Sequence, residues 1–258
     1  MRCFKTIQSN QKSNTSLFCF PYAGGGASVF SSWKGKLPSK VNIYSFQAPG
    51  KEDRISELPH NELSAMVAEA ADAIIAHNNK SIMLFGHSLG ALIVYELVKK
   101  IELSGQNVSL AIVSGRNPPQ KLSKMKPIAH LPDKEFISEV EQLDGTPNGV
   151  FEHPELLEIF LPILKADFKI AENYRNTQPK RIQSSLFVLS GKQDPWIDAK
   201  DLELWKHVTD GACEIKLFDG DHFFLRDQDP KFFEYLSRIT APRVHEASAV
   251  RPATAQLK

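Results

Sequence analysis

The pentapeptide Gly86-His87-Ser88-Leu89-Gly90 follows a short apolar run, 82–85, and opens a segment with helical periodicity. A serine framed this way occupies a sharp strand-to-helix turn, where two glycines let strand and helix approach without Cβ clashes. Its hydroxyl is a poor nucleophile at neutral pH unless a base takes its proton and a carboxylate holds that base in the right tautomer. The plainer alternative, Ser88 as an ordinary helix N-cap, is weaker in this strand-to-helix context. The chemistry to look for is therefore acyl transfer through a serine, and the chain must supply a histidine and an acid.

In doubly wound sheets these groups come in the order serine, acid, histidine, each in a loop at the carboxyl end of a strand. Seven of the eight histidines, His60, His77, His87, His130, His153, His207 and His245, fall in expected helices, an insertion, the tail or the serine turn. His222 alone follows the last strand, in Asp219-Gly220-Asp221-His222-Phe223-Phe224, and is the expected base. The turn after the fourth strand, Ser114-Gly115-Arg116-Asn117-Pro118-Pro119, holds no carboxylate, whereas Ser190-Gly191-Lys192-Gln193-Asp194-Pro195 holds one. Asp194 is the favoured acid, with Asp219 and Asp221 as second choices; Asp198 and Asp201 suit the first turn of a helix.

A tetrahedral intermediate needs two amide donors for its oxyanion. One is expected from Leu89, the residue after the serine; the other from Pro21-Tyr22-Ala23-Gly24-Gly25-Gly26, with Ala23 favoured over Tyr22. As a phosphate loop these glycines fail on spacing, since the last glycine of a dinucleotide fingerprint and a following Lys-Ser/Thr are both missing. No His-Glu-x-x-His, paired cysteines, calcium-loop pattern or basic stripe interleaved with aromatics occurs, so neither metal nor cofactor nor nucleic acid is expected.

The elements that must position these residues are short apolar runs at 17–20, 41–46, 82–85, 110–114, 186–190 and 214–218, nearly continuous as in strands buried on both faces. Helical spacing at 61–77, 89–101, 196–208 and 230–239 alternates with them, which predicts a doubly wound, mostly parallel α/β sheet. Between the fourth and fifth strands, 118–179 carries no strand but two helical stretches, 133–143 and 154–174, and reads as an inserted helical lid, with plain packing onto the domain as the alternative. Pro162 should kink the second. The substrate pocket is expected to be lined by Tyr22 and, from the lid, Phe160, Leu164 and Phe168. One domain over 1–240 and a disordered tail at 241–258 complete the expectation.

Composition agrees with a soluble folded protein. The 258 residues carry 31 Lys+Arg against 30 Asp+Glu, so a formal charge of +1 offers no net field for polyphosphate or anionic lipid. Three cysteines without metal-like spacing, no apolar run long enough for a bilayer and no secretory pattern lead to the expectation of a cytoplasmic protein.

Taken together these blocks resemble a known family: the stand-alone type II thioesterases that accompany nonribosomal peptide, polyketide and fatty acid synthases, on the α/β-hydrolase fold. The resemblance runs from about residue 17 to 236 and includes Phe20-Pro21-Tyr22-Ala23-Gly24-Gly25, Phe30 to Trp33, Gln47-Ala48-Pro49-Gly50 with Arg54, the serine pentapeptide, Ser114-Gly115-Arg116 and 219–223. It matches the family's serine, acid and histidine to Ser88, Asp194 and His222, and its oxyanion amides to Ala23 and Leu89. Two departures stand out: Leu89 where the family often has Met, and Lys51-Glu52 where it has Arg-Gly or Arg-Glu. The resemblance implies an acyl or aminoacyl thioester on the phosphopantetheine arm of a carrier domain as substrate, and carrier domains as partners. Rival readings are a general small-ester hydrolase, an acyltransferase to a second acceptor, and a carrier-binding protein with a dead site.

Overall fold

The computed structural model describes residues 1–77, 80–143, 145, 153–226 and 229–241. Seven strands form one sheet: β1 (Phe4–Gln8), β2 (Thr15–Phe20), β3 (Val41–Phe46), β4 (Ser81–His87), β5 (Val108–Ser114), β6 (Leu186–Gly191) and β7 (Cys213–Phe218), in the spatial order β1-β3-β2-β4-β5-β6-β7. Every neighbouring pair is parallel except β1 with β3. Six of the seven are the apolar runs expected from sequence. β1 is an addition: only Phe4 of its residues is fully buried, because an antiparallel edge strand with Lys5, Thr6 and Gln8 lacks the unbroken apolar signal of a central one.

Helices cover both faces. Along β2 the side chains alternate: Phe18 and Phe20 pack towards α1 (Leu63–Ala76) and α2 (Leu89–Leu103), while Leu17 and Cys19 pack towards the 3-10 segment Ala27–Trp33 and α6 (Pro230–Thr240). A strand with a core on each side must be apolar at every position, which is why its period-2 signal is absent. Cys19 behaves as a small hydrophobe, fully buried, and burial pushes its thiol well above the usual range.

Between β5 and β6 the chain leaves the sheet and builds α3 (Asp133–Gln142) and α4 (Pro154–Asn173). Phe136, Val140, Leu164 and Phe168 form with Ile128 a small separate core that touches Ala23. α4 runs through Pro162 without a break in the helix. The helix expected at 196–208 is shorter, a four-residue α5 (Ala199–Leu202) running into the 3-10 segment Glu203–Val208. Among the described residues no helix is long and apolar enough to cross a membrane. Of the tail expected to be disordered, 242–258 lies outside the described residues.

Candidate active site

β4 ends at His87 and α2 begins at Leu89, so Ser88 must turn the chain within one residue. It does so at φ 56°, ψ −109°, a backbone conformation unfavourable for a residue with a Cβ. The two glycines are required by close approach: a Cβ on Gly86 would lie 2.0 Å from the Gly90 carbonyl oxygen, and one on Gly90 2.1 Å from that of Phe20. Ser88 N donates to Ser114 O at 2.8 Å, which ties the turn to the end of β5. The serine is half-buried and its side chain faces a cavity of about 70 Å³.

His222 lines the same cavity. Its Nδ1 donates to Asp194 Oδ2 at 2.7 Å, and the other oxygen of Asp194 accepts from Trp196 N at 3.0 Å. The loops that carry the two residues are stapled together. Lys192 N donates to Phe218 O, Gln193 N to Gly220 O and Gly220 N to Gln193 Oε1, all within 3.0 Å. Gly191 allows this approach, because a Cβ there would lie 2.0 Å from the Asp221 carbonyl. The imidazole is walled by Trp196, Phe223 and His87, with ring centroids 4.8, 5.0 and 4.9 Å away. With Asp194 holding the Nδ1 proton, Nε2 is the free basic nitrogen, the tautomer that a general base needs. Among the described residues the Ser88 hydroxyl makes no hydrogen bond to it; such contacts commonly tighten only with substrate bound.

Ala23 also lines the cavity, and among the described residues neither the Ala23 nor the Leu89 amide donates a hydrogen bond. Gly24 N is already taken, donating to Asp167 Oδ2 at 2.7 Å. The apolar side of the cavity is formed by Met125, Val140, Leu143, Phe168 and Ala171, all from the insertion.

The structure separates the four expected pocket residues. Tyr22 and Phe168 line the serine cavity; Phe160 and Leu164 do not, and instead line a second cavity with Gly24, Gly25, Lys51 and Glu52, which Tyr22 and Ala23 also border. The three lid residues follow one stripe of α4 at i, i+4 and i+8, so the difference lies in their position along the helix: Leu164 sits over Gly24, and Phe168, one turn further on, reaches the serine cavity.

Four residues that sequence reasoning passed over contribute here. His87, set aside as part of the serine turn, is wholly buried, with Nδ1 2.9 Å from Ser114 Oγ; burial, with the nearby His222 in second place, pushes its pKa well below the usual histidine value. Arg226 donates to the Tyr22 hydroxyl at 2.8 Å and stacks on Phe223, 4.1 Å from the ring centre. Lys51 and Asp167 form a buried ion pair against the glycine loop. Only Lys51 carried a sequence signal, its place in the block after Pro49-Gly50. The neighbouring Glu52 has φ 48°, a left-handed conformation that glycine adopts freely, and its carboxylate accepts from Ser28 N at 2.9 Å. Among the described residues no group of three or more His, Cys, Asp or Glu side chains is arranged to hold a metal ion.

Comparison with known proteins gives the family. The family model described as "Thioesterase domain" matches residues 15–240. Gramicidin S biosynthesis protein GrsT of Aneurinibacillus migulanus is 34% identical over 246 residues, covering 93% of this chain and 96% of that protein. Linear gramicidin dehydrogenase LgrE of Brevibacillus parabrevis is 36% identical over 216 residues, 82% of each. Among solved structures, the type II thioesterase BorB from the borrelidin biosynthetic cluster superposes with a TM-score of 0.82 at 26% identity, covering 92% of this chain and 97% of that one. The chain belongs to the thioesterase family, in its type II group, and has that group's α/β-hydrolase fold.

Proposed function

We propose that this protein hydrolyses acyl or aminoacyl thioesters held on the phosphopantetheine arm of carrier domains, clearing stalled or misprimed groups in nonribosomal peptide or polyketide biosynthesis. The observation that carries the reading is the convergence of a strained Ser88 and the His222–Asp194 pair on one cavity roofed by the insertion. Ser88 Oγ attacks the thioester carbonyl while His222 Nε2 takes its proton. The oxyanion that forms is met by the amides of Ala23 and Leu89. The carbon–sulfur bond then breaks, and His222 returns the proton to the departing thiol. Water, deprotonated by the same nitrogen, attacks the acyl-serine and releases the acid and the free hydroxyl. Asp194 holds the imidazole and offsets its charge in both halves. The insertion over 118–179 serves as the lid of a single domain spanning 1–240, its apolar side chains excluding water from the acyl-enzyme. No cofactor enters these steps.

The dehydrogenase in the name of LgrE is not carried over. A dinucleotide site needs a glycine turn that opens an α-helix with free amides, whereas Gly24-Gly25-Gly26 leads into a 3-10 segment and Gly24 N faces the carboxylate of Asp167, which would repel phosphate.

The test is intact-mass analysis of a carrier protein loaded with acetyl, longer acyl or aminoacyl groups, incubated with the protein and with Ser88→Ala. Loss of the acyl mass with the unaltered protein alone is the expected result. Survival of every loaded carrier, with cleavage of a simple ester of the same acid, would leave a general esterase in its place.

A further inference from the structure

Lys51 and Asp167 come to the glycine loop from different elements. Lys51 lies in the turn after β3 and Asp167 on α4; Nζ and Oδ2 are 2.5 Å apart, with side chains only 7% and 1% exposed. Each ion makes its other contact with the same loop: Asp167 Oδ2 accepts from Gly24 N at 2.7 Å, and Lys51 Nζ donates to Gly25 O at 3.1 Å. Gly25 N in turn donates to Tyr22 O at 2.9 Å.

That chain of bonds ends on one peptide plane. Tyr22 C=O and Ala23 N–H belong to the same trans peptide and point in opposite directions. Holding Tyr22 O on Gly25 N therefore fixes the Ala23 N–H pointing out of the turn, and Ala23 itself lines the cavity that holds Ser88 as well as the second one. The positive φ of Gly24, 79°, gives the turn a backbone that could relax in other directions if its amide were released. α4 has apolar anchorage of its own, since Ile170 and Ala171 are buried in the core that covers the sheet, and buried pairs add little net stability over apolar replacements.

We infer that the Lys51–Asp167 pair is a positioning device for the Ala23 amide, so that the oxyanion site is complete only while the inserted helix α4 is docked on the glycine loop. The inference rests on the proposed attack of Ser88 on a thioester.

The experiment compares Lys51→Met/Asp167→Leu, Asp167→Asn and Lys51→Arg with the unaltered protein, using the butanoyl thioester of N-acetylcysteamine as substrate and butylboronic acid as a tetrahedral adduct-former on Ser88. Folding is followed by circular dichroism and thermal melting. Replacing both charges leaves no orphan ion, so the double variant is expected to fold, with kcat lowered about 10- to 100-fold and KM changed less than about threefold. Affinity for the boronic acid should fall by the same factor as kcat/KM, because both report binding of the tetrahedral oxygen. Lys51→Arg, which keeps the charge and the donors, should stay within about threefold of the unaltered protein. A folded double variant with kcat within about twofold, or a loss of kcat with boronic acid affinity unchanged, overturns the inference. Should the double variant not fold, Asp167→Asn carries the same comparison, with a fall of about three- to tenfold expected in both quantities. Ser88→Ala serves as the control: if it retains activity, the underlying reading fails, whereas its inactivity beside an indifferent ion pair sinks only the inference.

Discussion

Asp194 Oδ2 lies 2.7 Å from His222 Nδ1 although 28 residues separate them, because β6 and β7 are parallel neighbours that end at the same edge of the sheet. The Asp194 side chain is fully shielded from water. A carboxylate so placed decides which ring nitrogen carries the proton, and Asp194→Asn would present an amide that can stabilise the wrong tautomer. The expected loss is about 10⁴ in kcat with the fold intact, the size seen when an orienting carboxylate is removed from other serine enzymes. Steady-state kinetics beside a thermal melt would check it, and a loss of less than tenfold would exclude Asp194 from that role.

Ser88, the proposed nucleophile, sits on a strained backbone. Ser88→Ala and Ser88→Gly should both lower turnover by about 10⁴ to 10⁶. They should differ in stability, since glycine tolerates φ 56° and alanine does not. Denaturant titration should find the glycine variant the more stable of the two by about 1 kcal/mol. Equal midpoints would mean that the turn stores no strain.

His87 predicts a pH dependence of stability. Burial first, and the neighbouring His222 second, holds it neutral in the folded protein, its pKa well below the usual histidine value. The unfolded chain takes up that proton near pH 6.5, so below this pH the unfolded state binds more protons and folding stability falls, by up to about 1.4 kcal/mol per pH unit. Above it this contribution is constant. Melting curves of the unaltered protein and of His87→Asn between pH 5 and 7.5 should diverge at the acid end, the variant showing the shallower decline; parallel curves would contradict a neutral buried His87.

Ala171 of α4 faces the serine cavity, whose volume is only about 70 Å³. Ala171→Leu adds a branched side chain to the cavity into which, on the proposed function, the acyl chain extends. Cleavage of an acetyl thioester should change less than about twofold, while that of an octanoyl thioester should fall by about tenfold or more, as for a few lost methylene contacts. A uniform effect on both chain lengths would place the acyl group elsewhere.

The boundary between what was legible in sequence and what was not follows from the range of the interactions involved. Gly86, Ser88 and Gly90 could be read directly because a one-residue turn between a strand and a helix leaves no room for a Cβ at either flank, a purely local demand. His222 and Asp194 could be read by order and loop position because parallel strands with helical crossovers bring all their carboxyl ends to one edge. β1 escaped because an edge strand with one buried side leaves so weak an apolar pattern.

Tertiary structure decided the rest. Which residue of α4's inward stripe meets the serine cavity depends on where along its length the helix docks on the glycine loop, which sets Phe168 at the cavity of Ser88 and Leu164 over Gly24. Asp167 finds Lys51 across 116 residues, and neither side chain carries in its own neighbourhood any pattern that names the other. A local rule is written in adjacent residues and can be read there; a buried pair between distant elements exists only once those elements are packed, because only exclusion of water makes its geometry matter.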